Sequence, residues 1–392
     1  MKMTERAGME VSFAAAEAVK LCNVDVISAY PITPQTHIVE RLAEYVANGE
    51  LDAEFVPVES EHSALSLCMG SQAVGARSFT CTSSQGLALM SELLYITSGM
   101  RLPVVMILVN RSLSSPLSIW NDHSDVMSIR DCGWIQFFVH NGQELYDHVF
   151  MAYKLAENAD VLMPVIINVD GFTLSHVFEP LEMISPGKIE KYLPPYVPKY
   201  VLHPDDPLTM GAFTLPSYFT EAKKAHDEVL KTSYGHILNT FNSWAQVSGR
   251  SYHPVEKMYA EDAETLFVVM GSFAETAGEA VEAMRKQGKK VGLIAIRLWR
   301  PFPFEDFCHA VTGAKELIVI DRALSSGGPG GPLASEIRSA LYNVENRPQI
   351  RNYIAGLGGR DVTIEDYILM HDNSIQGSDY EIYGLKGDET SA

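Results

Sequence analysis

The chain has 392 residues, 46% of them hydrophobic, 20% charged and 9% aromatic. That length suits about two to three domains, each able to bury a core, and the apolar share excludes a disordered chain. Lys and Arg number 30 against 49 Asp and Glu, a formal charge of −19. Such a surface repels phosphate backbones, so a nucleic-acid partner is not expected.

Lys2, Glu5, Arg6, Glu10 and Glu17 interrupt any signal-peptide core near the start. The longest strongly apolar run, 102–109, is far short of the roughly 20 residues a membrane helix needs. A cytoplasmic protein with no membrane partner is the expectation. The cysteines, Cys22, Cys68, Cys81, Cys132 and Cys308, are odd in number and include no C-x-x-C. They offer no zinc ribbon, thioredoxin motif or ferredoxin-type cluster, and read as buried thiols in a reducing compartment.

In chain order, short apolar runs over 24–29, 54–58, 78–82, 103–109, 135–139 and 164–169 alternate with helix-length stretches such as 60–74 and 86–97. Strands separated by helices read as βαβ units and a parallel sheet, covered by helices on both faces. From Pro180 to Pro207 inclusive there are seven prolines, which predict an extended crossing segment rather than helix or central strand. Residues 218–247 read as a helix with Ala222, Ala225, Val229 and Leu230 on one stripe. A second alternating region follows, with strands at 266–270, 291–296, 316–320 and 350–355 and a helix over 276–286. The predicted units are thus 1–247, a smaller α/β domain over 248–368, and a polar tail, 369–392, free or wrapped on a partner.

Several strand ends carry chemistry-bearing residues. Tyr30-Pro31-Ile32-Thr33-Pro34-Gln35 follows the first run, and its prolines stiffen a loop at a strand's carboxyl end, where α/β sheets bind ligands. The competing reading is a plain turn with Thr33 as helix cap and Pro34 in the first turn. In Val58-Glu59-Ser60-Glu61-His62, Ser60 reads as an N-cap. Glu61 is either a first-turn acid favoured by the helix dipole or, if buried behind the apolar stretch 64–69, a proton donor. The turn Thr82-Ser83-Ser84-Gln85-Gly86-Leu87 could let backbone approach a ligand. Arg111, ending the most apolar strand, either binds an anion or pairs with an acid. Asn121-Asp122-His123-Ser124-Asp125 reads as polar capping more readily than as a metal site, and no metal ligand set is expected. The glycine loops Ser325–Gly331 and Gly356–Asp361 lack the full phosphate and dinucleotide fingerprints and read first as packing or interface loops.

Taken together these motifs resemble the α subunits of the 2-oxoacid:ferredoxin oxidoreductases, most closely the pyruvate-type enzymes. The matching segments are Tyr30–Pro34, Val58–Ala64, Thr82–Leu87, Asn110-Arg111, Ile119–Asp125, Asp170–His176, Arg300–Pro303 and Gly356–Asp361, in order along about residues 10–365. The resemblance implies a pyrimidine-binding thiamine diphosphate domain followed by a transketolase C-terminal-like domain. It implies that Glu61 hydrogen-bonds the cofactor's aminopyrimidine ring, beside Tyr30, Pro31, Ile32, Gln85 and Gly86. Thr33 and Arg111 would hold the substrate carboxylate. No G-D-G segment for diphosphate and Mg2+ is found in this chain. A β partner would therefore supply that half of the cofactor site, with γ and δ functions, iron–sulfur clusters, coenzyme A and ferredoxin completing the reaction. Pyruvate is the expected substrate; phenylglyoxylate, branched 2-oxoacids and oxalate are the alternatives. Rival readings are a non-catalytic scaffold and a nucleotide-binding dehydrogenase built on the glycine loops.

Overall fold

The structure, a computed structural model, describes residues 5–373 and 380–387. The first part runs β1 (Glu5–Glu10), α1 (Val11–Leu21), β2 (Val26–Ala29), α2 (Thr36–Ala47), β3 (Glu54–Pro57), α3 (Glu61–Ala73), β4 (Ser78–Thr82), α4 (Gln85–Leu89), α5 (Ser91–Gly99), β5 (Val105–Asn110), α6 (Ser124–Ser128), β6 (Ile135–Phe138), α7 (Gly142–Ala156) and β7 (Val165–Asp170). Next come β8 (Phe178–Met183), α8 (Pro186–Tyr192) and α9 (Pro216–Ser248). The remainder is β9 (Val255–Met258), β10 (Thr265–Val269), α10 (Phe273–Lys286), β11 (Val291–Ile296), β12 (Leu298–Arg300), α11 (Phe304–Ala310), β13 (Glu316–Asp321), α12 (Pro332–Leu341), β14 (Gln349–Ile354), α13 (Ile364–Asp372) and β15 (Glu381–Ile382).

Two main sheets result, in the orders β12-β6-β7-β5-β4-β2-β3 and β15-β14-β13-β10-β11-β9. All pairings are parallel except those of β12 with β6 and β9 with β11. The expected α/β architecture with parallel sheets is what the chain adopts. Alternation along the strands explains the layers. Val105, Ile107 and Val109 of β5 face a core shared with α1 and α7, while Met106 and Leu108 face a second core. That second core also takes Val268, Ile294 and Leu317, so one apolar layer joins both sheets. A third core lies beyond the second sheet, under α10 and α13.

Four expectations need correction. The Pro-rich stretch is not wholly an extended crossing: β8 pairs antiparallel with β1, and α8 starts at Pro186. A proline is tolerated in a two-stranded ribbon and in a first helical turn, which the composition alone does not reveal. Of the stripe predicted on α9, Ala222 and Ala225 are exposed, and cover begins at Val229 and Leu230. Ile237, Phe241 and Trp244 anchor the helix, with Trp244 stacked on Phe150 of α7 at 5.2 Å. Not every strand is covered on both faces, since the edge strand β3 is partly open. Finally, α13 runs past residue 368, and β15 adds an edge strand to β14, so part of the segment expected as a tail belongs to the second sheet. Residues 374–379 and 388–392 of that segment lie outside the described residues. Among the described residues no helix is long and apolar enough to cross a membrane.

Candidate active site

The strand order of the first sheet reverses one strand in from its β3 edge. From β2 the chain steps outward to β3, then returns to the other side of β2 as β4 and continues to β5. The loops leaving β2 and β4 must therefore diverge, which opens a crevice at the carboxyl ends of those strands. Four of the motifs sit on loops around it: Tyr30–Gln35 after β2, Glu59–Glu61 after β3, Ser83–Gly86 after β4 and Arg111 after β5.

Glu61 and Gly86 touch. A β-carbon at position 86 would fall 2.6 Å from Glu61 Oε1, 2.8 Å from Glu61 Cγ and 2.3 Å from Thr82 Oγ1. Only glycine fits that approach, so the T-S-S-Q-G turn is shaped around the carboxyl group. Ser60 caps α3 as expected, accepting the Ser63 N–H at 3.2 Å, which fixes Glu61 at the first helical position. Glu61 is buried, yet among the described residues its carboxylate has no hydrogen-bond partner. The hydroxyls of Thr82 and Ser83 are likewise buried and unpartnered among those residues. Buried polar atoms in this state are uncommon unless a further group completes them.

Thr33 and Arg111 are also brought together. Arg111 Nη1 donates to the Thr33 carbonyl at 2.9 Å, and its Nε donates to the Ser118 carbonyl at 3.0 Å. No acid pairs with its side chain among the described residues, and burial shifts the guanidinium down from its ordinary value. Of the two readings for Arg111, the acid partner is therefore absent, and a cation is held ready at the crevice. Residues 33–35 do form a turn, closed by Gln35 N–H donating to the Ile32 carbonyl at 2.9 Å, but Thr33 is not the cap: α2 starts at Thr36 with Gln35 at its N-cap position. Gln35 is buried and closes the loop, donating to the Tyr30 carbonyl at 2.7 Å and accepting from the Cys81 thiol at 3.4 Å.

Asp125 knits these loops together, a role sequence reasoning missed by treating 121–125 as capping. Its two carboxylate oxygens accept from Asn110 Nδ2 (3.0 Å), Val126 N–H (2.7 Å), Arg111 N–H (3.0 Å) and Ser84 N–H (3.2 Å). Burial lifts its carboxyl to about 6, against the pull of those donors. The bond to Ser84 helps hold that residue at φ 49, a left-handed conformation costing of order 1–3 kcal/mol. The same motif reaches the second sheet. His123 Nε2 lies 2.8 Å from Asp170 Oδ1, and Arg322 Nη1 donates to Asp170 Oδ2 at 2.8 Å while its Nη2 reaches Asn121 Oδ1 at 2.9 Å. Arg322 and His123 hold the Asp170 carboxyl far below the usual carboxylate range, although burial pushes it up. Two acids and a histidine within the five positions 121–125 were the available signal.

The glycine loops are packing devices. Asp321 accepts the Leu333 and Ala334 N–H groups at 2.7 and 3.1 Å, filling the α12 N-terminus that a phosphate would need. A β-carbon on Gly331 would fall 2.0 Å from Asp321 Cγ. Gly358 N–H donates to Asp122 Oδ2 at 3.2 Å, so the second loop backs the 119–125 segment. The dehydrogenase reading loses its site.

A switch-point crevice with a buried carboxyl group lacking a partner among the described residues and a fixed arginine is the kind of site at which an α/β enzyme binds its ligand. Residues 17–241 match the family described as pyruvate flavodoxin/ferredoxin oxidoreductase, thiamine diphosphate-binding, and residues 263–367 match pyruvate:ferredoxin oxidoreductase core domain II. The chain belongs to this oxidoreductase family, as one subunit of a complex. It is 46% identical over 378 residues to the pyruvate synthase subunit PorA of Methanocaldococcus jannaschii, covering 95% of this chain and 96% of that one. It is 45% identical to the ketoisovalerate oxidoreductase subunit VorA of Pyrococcus abyssi, over 91% and 90% of the two chains. Its fold is similar to that of 2-oxoglutarate:ferredoxin oxidoreductase from Magnetococcus marinus, with a TM-score of 0.70 and 21% identity. That match covers 94% of this chain but only 65% of the other. A split-gene transketolase matches with a TM-score of 0.54 at 12% identity, over 93% and 98%.

Proposed function

We propose that this chain is the α subunit of a pyruvate:ferredoxin oxidoreductase, in which a 2-oxoacid is oxidatively decarboxylated with coenzyme A and electrons pass to ferredoxin. The observation that carries this reading is the buried, unpartnered Glu61 carboxyl group seated on Gly86. Thiamine diphosphate supplies an electron sink for the carbon–carbon bond that breaks as carbon dioxide leaves. Glu61 holds a proton against the ring nitrogen of the cofactor's pyrimidine, and Gly86 and Thr82 form the wall that sets its direction. Tyr30, Pro31, Ile32 and Gln85 line the same crevice. Arg111 binds the substrate carboxylate, with the Thr33 hydroxyl beside it, and the Ser118 carbonyl keeps the guanidinium in plane.

The division into a pyrimidine-binding part, 1–247, and a transketolase C-terminal-like part, 248–368, fits this reading. A β chain supplies the diphosphate and Mg2+ half, and chains bearing iron–sulfur clusters complete a cytoplasmic complex. The exposed apolar side chains Tyr30, Leu89, Tyr95, Leu117 and Trp120, on the segments that follow β2, β4 and β5, support a partner on this side of the chain. Pyruvate is favoured over a branched 2-oxoacid because three of the relatives with high identity are pyruvate synthase subunits, although ketoisovalerate subunits stand close behind.

The test is viologen reduction by the complex, purified without air, for each 2-oxoacid with and without coenzyme A. Pyruvate-driven, coenzyme A-dependent reduction that falls by several orders of magnitude in Glu61→Gln is expected. Turnover untouched by Glu61→Gln favours the scaffold reading, and preference for a branched 2-oxoacid moves the substrate.

A further inference from the structure

Glu10, His37 and His176 converge from three segments outside the crevice. Glu10 ends β1, His37 lies in the first turn of α2, and His176 follows the turn after β7. Each offers one ligand atom, and the three atoms lie within 4.8 Å of one another. Glu10 is buried and both histidines are half-buried, so the group is sheltered but reachable from solvent. His37 Nδ1 lies 2.6 Å from Glu10 Oε1, and the two imidazoles are inclined at 37° with centroids 4.4 Å apart.

An ion pair accounts for His37 with Glu10. It gives no reason for a second imidazole tilted against the first. His176 is held from behind: Ser175 Oγ lies 2.7 Å from its Nδ1, and the same oxygen accepts the Phe172 N–H at 2.9 Å. An oxygen on one ring nitrogen is the arrangement that orients the other nitrogen as a metal ligand.

We infer that Glu10, His37 and His176 form a binding site for a first-row divalent transition-metal ion such as Zn2+. Two imidazoles and one carboxylate suit that class of cation, whereas Mg2+ and Ca2+ prefer oxygen ligands throughout. Water completes the coordination, with metal–nitrogen distances of about 2.0–2.1 Å. The site would also brace the substrate loop. His37 follows Thr33 by four positions, and Gly171, at the head of the turn leading to His176, lies against Pro34, where a β-carbon would fall 2.6 Å from Pro34 Cγ.

The experiment uses the full, tag-free chain, stripped with chelator and titrated with Co2+ without air, then with Zn2+ in competition. One Co2+ per chain with a visible ligand-field band, displaced by Zn2+, is expected. Ser175→Ala should weaken Zn2+ binding by roughly tenfold, within the range for loss of an outer-shell partner, and His176→Ala should weaken it more. No band at millimolar Co2+ overturns the inference. So does an unchanged band and stoichiometry in the His37→Ala, His176→Ala double variant, because the metal would then sit elsewhere. Should that variant fail to fold, X-ray absorption at the zinc edge of the wild-type chain decides: scattering from two imidazoles supports the site, and its absence refutes it.

Discussion

Replacing Gly86 by alanine is the sharpest probe of the crevice. The new β-carbon would lie 2.3 Å from Thr82 Oγ1 and 2.6 Å from Glu61 Oε1, where ordinary contacts are 3.4–4 Å. The shortfall is about 1 Å, and the two obstacles differ in how they yield. Thr82 is β-branched, buried and fixed on β4, whereas the Glu61 carboxyl group is the far end of a flexible side chain. Glu61 should therefore swing away while the fold persists, with an overpacking cost of about 1–3 kcal/mol. A displacement of about 1 Å in a reacting group costs roughly a hundredfold in rate. Viologen reduction by the reconstituted complex should fall by about that factor, with thiamine affinity reduced and thermal unfolding only modestly earlier. Gly70→Ala is the control: it lies inside α3, and nothing stands within 4 Å of its added carbon. That variant should keep full activity and gain roughly 0.5–1 kcal/mol of stability. Wild-type turnover and thiamine affinity in Gly86→Ala would refute the placement of Glu61 in the chemistry.

Asp125→Asn turns one acceptor oxygen into an amide facing N–H donors, at about 1–3 kcal/mol for each donor left unpaired. Denaturant melts should show that loss, and the Michaelis constant for the 2-oxoacid should rise as the Arg111 and Ser84 backbones loosen; an unchanged Michaelis constant would separate Asp125 from the site. Asp170→Asn leaves Arg322 buried without its countercharge, and urea melts at pH 7 should show a loss of roughly 3–5 kcal/mol. Because the folded carboxyl is depressed, its contribution is present above the unfolded value of about 3.9 and is lost as the pH falls below it toward the folded value. The variant should therefore show a flatter dependence of stability on pH in that acid range than the wild type, and equal slopes would sink the argument. Arg111→Lys keeps the charge but loses the fork that reaches Thr33 and Ser118 together. At about 1.5–3 kcal/mol for a charged hydrogen bond, kcat/KM should drop by one to two orders of magnitude, and a smaller effect would place the carboxylate elsewhere.

The sequence by itself determined the order of the central parallel strands and of the longer helices between them, because apolar runs and helical spacing are local properties. It also located each candidate residue at a strand end, since Ser60, Gly86 and the prolines around Thr33 act on their immediate neighbours. The partner-dependent character was legible as well, in the absence of a G-D-G segment or cluster cysteines. Tertiary structure alone decided which strand ends meet. The reversal at β2 and β4 sets these strand ends side by side, so that Glu61 meets Gly86 and Arg111 meets Thr33, and strand order is a long-range choice that no local spacing records. The same holds for Asp125, which reads as an ordinary cap, and for Asp170, which has no role of its own until the donors of distant segments surround it. The pairing of β8 with β1 and of β15 with β14 was hidden for that reason too: a short edge strand takes its stability from its neighbour rather than from its own residues.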